Sequence, residues 1–212
     1  MKLRFCAGLH YSGIKAIVHC QTNQPEVWAE LCRGLDIRSG LISGSMSLLF
    51  YQLSNKKAIK FYCADCEDLW SSELKTKALS VLETLFGCHI DSTISAYVGL
   101  YPTYLRSIRE RYFLLPYGVS LNRIREIIIH ELSHFYCYVA SGDSLTSNML
   151  WQLSECLVPF ILKYNFGINS HEFSYMETGL VSEKKLFYSW ANKKMSFEKL
   201  LVLLKQHEQC YL

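Results

Sequence analysis

Residues 120–140, Ser-Leu-Asn-Arg-Ile-Arg-Glu-Ile-Ile-Ile-His-Glu-Leu-Ser-His-Phe-Tyr-Cys-Tyr-Val-Ala, constrain the fold more than any other stretch, because they can form little except one long helix. Ser120 or Asn122 can cap its start, and Ser141-Gly142-Asp143 is a stop signal. Ile124, Ile127, Ile128, Leu132, Phe135 and Val139 recur at helical spacing and predict a buried stripe. Within it stand His130 and His134, four residues apart, with Glu131 between them. Four residues are just over one 3.6-residue turn, so the two imidazoles point the same way and can grip one zinc at ~2.0–2.1 Å per nitrogen. Glu131 is rotated by about 100° from His130, which suits a carboxylate that acts on water beside a metal without ligating it. A lone histidine on an apolar face is usually a core residue hydrogen-bonded to backbone; a pair at this spacing around a glutamate favours zinc.

A catalytic zinc keeps three protein ligands and an open position, so a third donor is required. One arrangement would place Gly at 137 and His at 140; Cys137 and Ala140 stand there and exclude it. Glu155 lies 21 residues after His134, in Trp151-Gln152-Leu153-Ser154-Glu155-Cys156-Leu157. Its neighbours are apolar, so burying its carboxylate demands a partner, and zinc would be one. A salt bridge or simple exposure is the plainer alternative. Cys137, three residues after His134, is a further possible donor that would close the site as an inert His/His/Cys/Glu centre, although a buried cysteine more often packs as a small hydrophobe.

His-Glu-Leu-Ser-His followed about twenty residues later by a helical Glu resembles the gluzincin branch of zinc peptidases, the thermolysin-like core in short form. The resemblance spans residues from about 68 to 165 and rests on positions 130, 131, 134 and 155. It implies His130, His134 and Glu155 as Zn2+ ligands, Glu131 as general base, and a peptide or protein as substrate, cut by an endopeptidase or aminopeptidase activity. It implies an α+β, zincin-like fold: a small mixed or antiparallel sheet packed on the metal-binding helix, with a helical C-terminal lobe. It calls for a Tyr or His from that lobe to stabilise the oxyanion, and Tyr175 and His171 are the expected residues, with Tyr188 in the same region. The chain departs from the family where an Asp commonly supports a zinc-bound His. Here the stretch is Ser154-Glu155-Cys156-Leu157-Val158-Pro159, without that acid, and Pro159 should kink the helix at Glu155. An inactive zincin-like binding module, and a regulatory zincin that cuts or binds a repressor, are the competing expectations. The second of these usually carries a helix-turn-helix, and none is evident.

Composition narrows the remaining classes. In 212 residues, 50% are hydrophobic and 19% charged, which predicts one well-cored domain. A formal net charge of +3 with no dense Lys/Arg run argues against a nucleic-acid partner. Residues 2–8 carry charge with no continuous apolar stretch behind it, and no run of eighteen apolar residues occurs, so neither a signal peptide nor a membrane span is expected. Nine scattered cysteines fit a reducing, cytoplasmic setting, with signal-independent export left open. Cys63-Ala-Asp-Cys66 has redox spacing but no second pair for a zinc ribbon, and coincidence in a cysteine-rich chain is the simpler account.

Along the chain, Arg4–Leu9 and Ile14–Cys20 read as a hairpin, Pro25–Gly34 as a short helix, and Ser47–Leu53 and Ala58–Cys63 as strands. Asp68–Phe86 reads as a helix stopped at Gly87, Ser92–Val98 and Arg111–Leu115 as strands, and Asn148 to about Tyr164 as a helix capped by Thr146 or Ser147. Helices over Ser182–Asn192 and Ser196–Gln209 complete the chain, the latter buried through Leu200, Leu201, Leu203 and Leu204. The organisation expected is a single domain over 1–212: an appendage over 1–66, a metal-site core over 67–165 and a helical lobe over 166–212.

Overall fold

The computed structural model describes residues 1–8, 22–23, 55–99, 105–142, 145–169 and 184–209. These fall in two compact units, one of Met1–Leu74 with Asp91–Ile127, the other of Lys75–Ile90 with Ile128–Leu212. The protein is mixed α+β and mostly helical.

The first unit holds a four-stranded mixed sheet in the order β1-β2-β4-β3, with β1 at Lys2–Ala7, β2 at Thr93–Gly99, β3 at Arg106–Ser107 and β4 at Tyr112–Pro116. β1 runs parallel to β2 in the register Lys2↔Thr93, and β2 parallel to β4 in the register Ser95↔Tyr112. β3 is antiparallel to β4. The turn between them is closed by Ser107 Oγ accepting from Glu110 N, and Arg111 takes the left-handed φ of 56° just before β4. Every residue of β4 is buried, which explains its unbroken apolar run; strands inside parallel sheets lose the in-out alternation. The expected strands at 92–98 and 111–115 are therefore present, shifted by one residue. β1 takes the place of the first hairpin strand, but its described partner is β2; residues 14–20, the Pro25–Gly34 helix and the Ser47–Leu53 strand lie outside the described residues.

One expectation fails outright. Ala58–Cys63 is not a strand but part of helix α1, Lys56–Leu69, which packs on β1. Six residues rich in Ile, Phe and Tyr satisfy a strand template, yet Ile59, Cys63 and Cys66 are buried at helical spacing, and Phe61, on another face, is 64% exposed. Tyr62 of α1 meets Tyr117 edge-on at 5.3 Å and donates its hydroxyl to Val119 O. The expected Asp68–Phe86 helix is also divided. α1 ends at Leu69, the segment Trp70–Leu74 is interrupted at Ser72 with ψ −164°, and α2 runs Lys75–Phe86. Ser72 Oγ donates to Leu69 O and accepts from Leu74 N, so its side chain replaces helical bonds at the break.

The second unit is helical in its described residues. α3, Leu121–Ser141, begins in the first unit and enters the second at Ile128. α4 spans Ser147–Ile161, α5 Lys184–Ala191 and α6 Phe197–Gln209. Thr146 caps α4 by accepting from Met149 N, as its sequence predicts. α4 passes through Pro159 and continues into a wider π-turn over Leu162–Phe166, closed by Gly167 at φ 68°. The core of this unit is aromatic. Phe86 packs against Tyr136, Trp190 and Phe197 at ring separations of 6.2, 5.1 and 4.9 Å, and Trp190 Nε1 donates to Leu85 O at 2.9 Å. On α3 the buried stripe is wider than predicted, taking in Ile129, Tyr136 and Cys137, while Val139 is 49% exposed. On α6 Leu200, Leu201 and Leu204 are buried and Leu203 only half so. Among the described residues no helix is long and apolar enough to cross a membrane.

Candidate metal centre

The residues that matter lie on α4 and on the part of α3 from Ile128 onward, which belong to the second unit. His130 and His134 are one turn apart on α3, and their rings meet at 4.8 Å with an interplanar angle of 63°. That geometry brings the two Nε2 atoms to 3.0 Å from one another. Glu155, on α4, approaches from the second helix with Oε2 at 3.6 Å from His134 Nε2 and 3.9 Å from His130 Nε2. The three side chains bring one ligating atom each within 4.8 Å of the others, and they are close enough to hold a metal ion.

The fit can be tested on the donor spacing. Four donors placed tetrahedrally at ~2.0–2.1 Å from a cation stand about 3.3 Å apart. The observed edges of 3.0, 3.6 and 3.9 Å bracket that value, so small side-chain rotations suffice. The donor set, two imidazole nitrogens and one carboxylate oxygen, is chemically suited to a first-row divalent ion.

Burial grades the three ligands. His134 is fully buried, while the side chains of His130 and Glu155 keep 15% and 27% exposure. Glu131 is also fully buried, its Oε1 3.8 Å from His130 Nε2, beside the cluster and not part of it. The sequence expectation of His130, His134 and Glu155 as a converging set, with Glu131 adjacent, thus corresponds to what the helices bring together. Cys137 is buried on α3 but is not in the donor group found among the described residues. Tyr175 and His171 lie outside the described residues. Tyr188 is on α5, 43% exposed, and meets Tyr164 edge-on at 5.1 Å. Trp151, which its sequence setting suggests is a packing residue, is 47% exposed one turn before Glu155.

One participant escaped the sequence reading. Ser154 is buried, and its Oγ lies 2.9 Å from His134 Nδ1, on the side of the ring away from the cluster. The expected family pattern directs attention to an acid after Glu155; the contact comes instead from the residue before it. A serine inside an apolar helical run is the only signal the sequence offers.

The cysteine pair has different surroundings. Cys63 and Cys66 are both inside α1, not ahead of a helix as a redox pair would require, and none of the described cysteines is in a disulfide. Burial pushes the Cys63 thiol up to about 11, with Glu67 and Cys6 adding to it, and the Cys66 thiol up to about 12, with Cys63, Asp65 and Glu67 adding. Both therefore stay protonated near neutrality, the opposite of an activated thiol.

Comparison of the chain with protein-family models, curated proteins and solved structures finds no match.

Proposed function

We propose that this protein is a zinc-dependent peptide-bond hydrolase of gluzincin-like, zincin-type architecture. The observation that carries the reading is the convergence of His130, His134 and Glu155 beside a buried glutamate that does not itself join the donor set. Two imidazoles and a carboxylate are a catalytic-zinc donor set, leaving a position for solvent. When bound, zinc supplies Lewis-acid polarisation of a carbonyl and a water acidic enough to react near neutrality.

The chain's own residues divide the remaining work. His130 and His134, one turn apart on α3, would hold the ion through their Nε2 atoms. Glu155 adds the negative charge that offsets a divalent cation in a part-buried site. Glu131 accepts the proton of the attacking water at a carboxylate oxygen and returns it to the departing amine nitrogen.

A second reading rests on burial. Glu131 and His134 are wholly enclosed, as in a module whose metal only ties α3 to α4 and whose role is to bind a partner. Zinc-loaded protein assayed on a mixed library of quenched fluorescent peptides separates the two. The hydrolase reading expects cleavage that falls roughly 10²- to 10⁴-fold in Glu131→Gln, with bound zinc unchanged. Absence of cleavage by zinc-loaded wild type, at one zinc per chain, assigns the site to the module.

A further inference from the structure

We infer that Ser154 is the positioning residue of the centre: it holds His134 in the tautomer whose Nε2 lone pair faces His130 and Glu155. The inference rests on the metal-centre reading above and concerns a residue that the motif does not contain.

A serine hydroxyl has one hydrogen to give and two lone pairs to receive with. Ser154 Oγ lies 2.8 Å from the carbonyl oxygen of Trp151, which can only accept, so the hydroxyl hydrogen goes there. The same Oγ lies 2.9 Å from His134 Nδ1. With its hydrogen already committed, Ser154 can only accept from that nitrogen, so Nδ1 must carry the ring proton. A neutral imidazole holds one N–H, which leaves Nε2 as a bare lone pair. Nε2 is the atom that points to His130 Nε2 at 3.0 Å and to Glu155 Oε2 at 3.6 Å.

Placement strengthens the relay. The bond from Ser154 back to the carbonyl three residues earlier locks the serine rotamer against α4 itself. His134 and Ser154 are both buried, so solvent cannot supply a substitute partner for Nδ1. One turn of α4 thus delivers the third donor, Glu155, and the group that orients the second, Ser154. A hydroxyl partner also differs from a carboxylate one. It aligns the ring without adding a negative charge, leaving His134 a weaker electron donor than a carboxylate-backed imidazole.

Two measurements test this. The first is the His134 tautomer in metal-free wild-type protein, read from long-range ¹H–¹⁵N correlations with the imidazole neutral. The second is zinc affinity by chelator competition for wild type, Ser154→Ala and Ser154→Thr. The Nδ1–H tautomer is expected in wild type and in Ser154→Thr, which keeps the hydroxyl. In Ser154→Ala that preference is expected to be lost and zinc affinity to fall by roughly 10- to 100-fold, with the helical circular dichroism unchanged. An Nε2–H tautomer in wild type, or a Ser154→Ala variant with wild-type tautomer and affinity, overturns the inference. If wild type takes up no zinc, the metal-centre reading fails, and the tautomer still decides the role of Ser154.

Discussion

Helices α1 and α3 each carry a pair of potential ligands at helical spacing, Cys63 and Cys66 on one, His130 and His134 on the other. In the sequence the histidine pair around Glu131 favours zinc, and the cysteine pair reads more simply as coincidence. Their surroundings separate them. The histidines meet a carboxylate and a hydroxyl brought by a second helix, whereas the cysteines are buried in the α1 core, with no group of three metal donors around them among the described residues. Spacing on one helix places two atoms on one face; only a second element can turn that face into a site.

The sharpest test of this contrast is thiol reactivity. Raising Cys63 from 9.0 to about 11 and Cys66 to about 12 cuts their thiolate at neutral pH by about two and three powers of ten. Alkylation of the folded protein, followed by mass spectrometry at each cysteine, should label these two far more slowly than the unfolded chain. Labelling at the rate of an exposed thiol would erase the distinction. The sign for stability follows: these thiols bind protons more tightly in the folded state, so they contribute stability below the unfolded value and lose it as pH rises. Unfolding free energy should therefore decline between about pH 9 and 12, and less so in Cys63→Ala/Cys66→Ala.

Metal linkage gives the next effect. Zinc at a hundred times its dissociation constant should raise the unfolding free energy by about 2.7 kcal/mol, seen as an upward shift in Tm that EDTA reverses. His134→Ala and Glu155→Ala should each abolish the shift, while Cys63→Ala/Cys66→Ala should keep it. Zinc stabilisation that survives loss of His134, or vanishes with the cysteines, would move the site from α3 to α1.

The smallest effect concerns the helix that completes the centre. Thr146→Ala removes the side-chain cap from Met149 N at the start of α4 and should lower stability by about 1 kcal/mol in denaturant unfolding. Glu155 and Ser154 lie two turns further on, so zinc affinity should fall only slightly. A large loss of affinity would show that α4 is held by its cap and not by its packing.

Most of the regular structure near the centre was legible because its periodicity is strong. The long apolar repeat of α3 states its conformation over enough residues to outweigh chance, and the Thr146 cap marks where α4 begins. The same reading failed at Ala58–Cys63, where a six-residue window matches a strand and only burial at Ile59, Cys63 and Cys66 reveals the helical period. It also missed the break at Ser72, since a serine there looks no different from one on a continuous helix face.

The sequence by itself determined that His130 and His134 share a helix face, because 3.6 residues per turn leave no other outcome at a spacing of four. It also nominated Glu155, through an acid set among apolar neighbours. Whether that carboxylate reaches the imidazoles, and which hydroxyl backs His134, depended on how α4 packs against α3. Distances between residues twenty apart are set by side-chain packing between two elements, and no local preference encodes them.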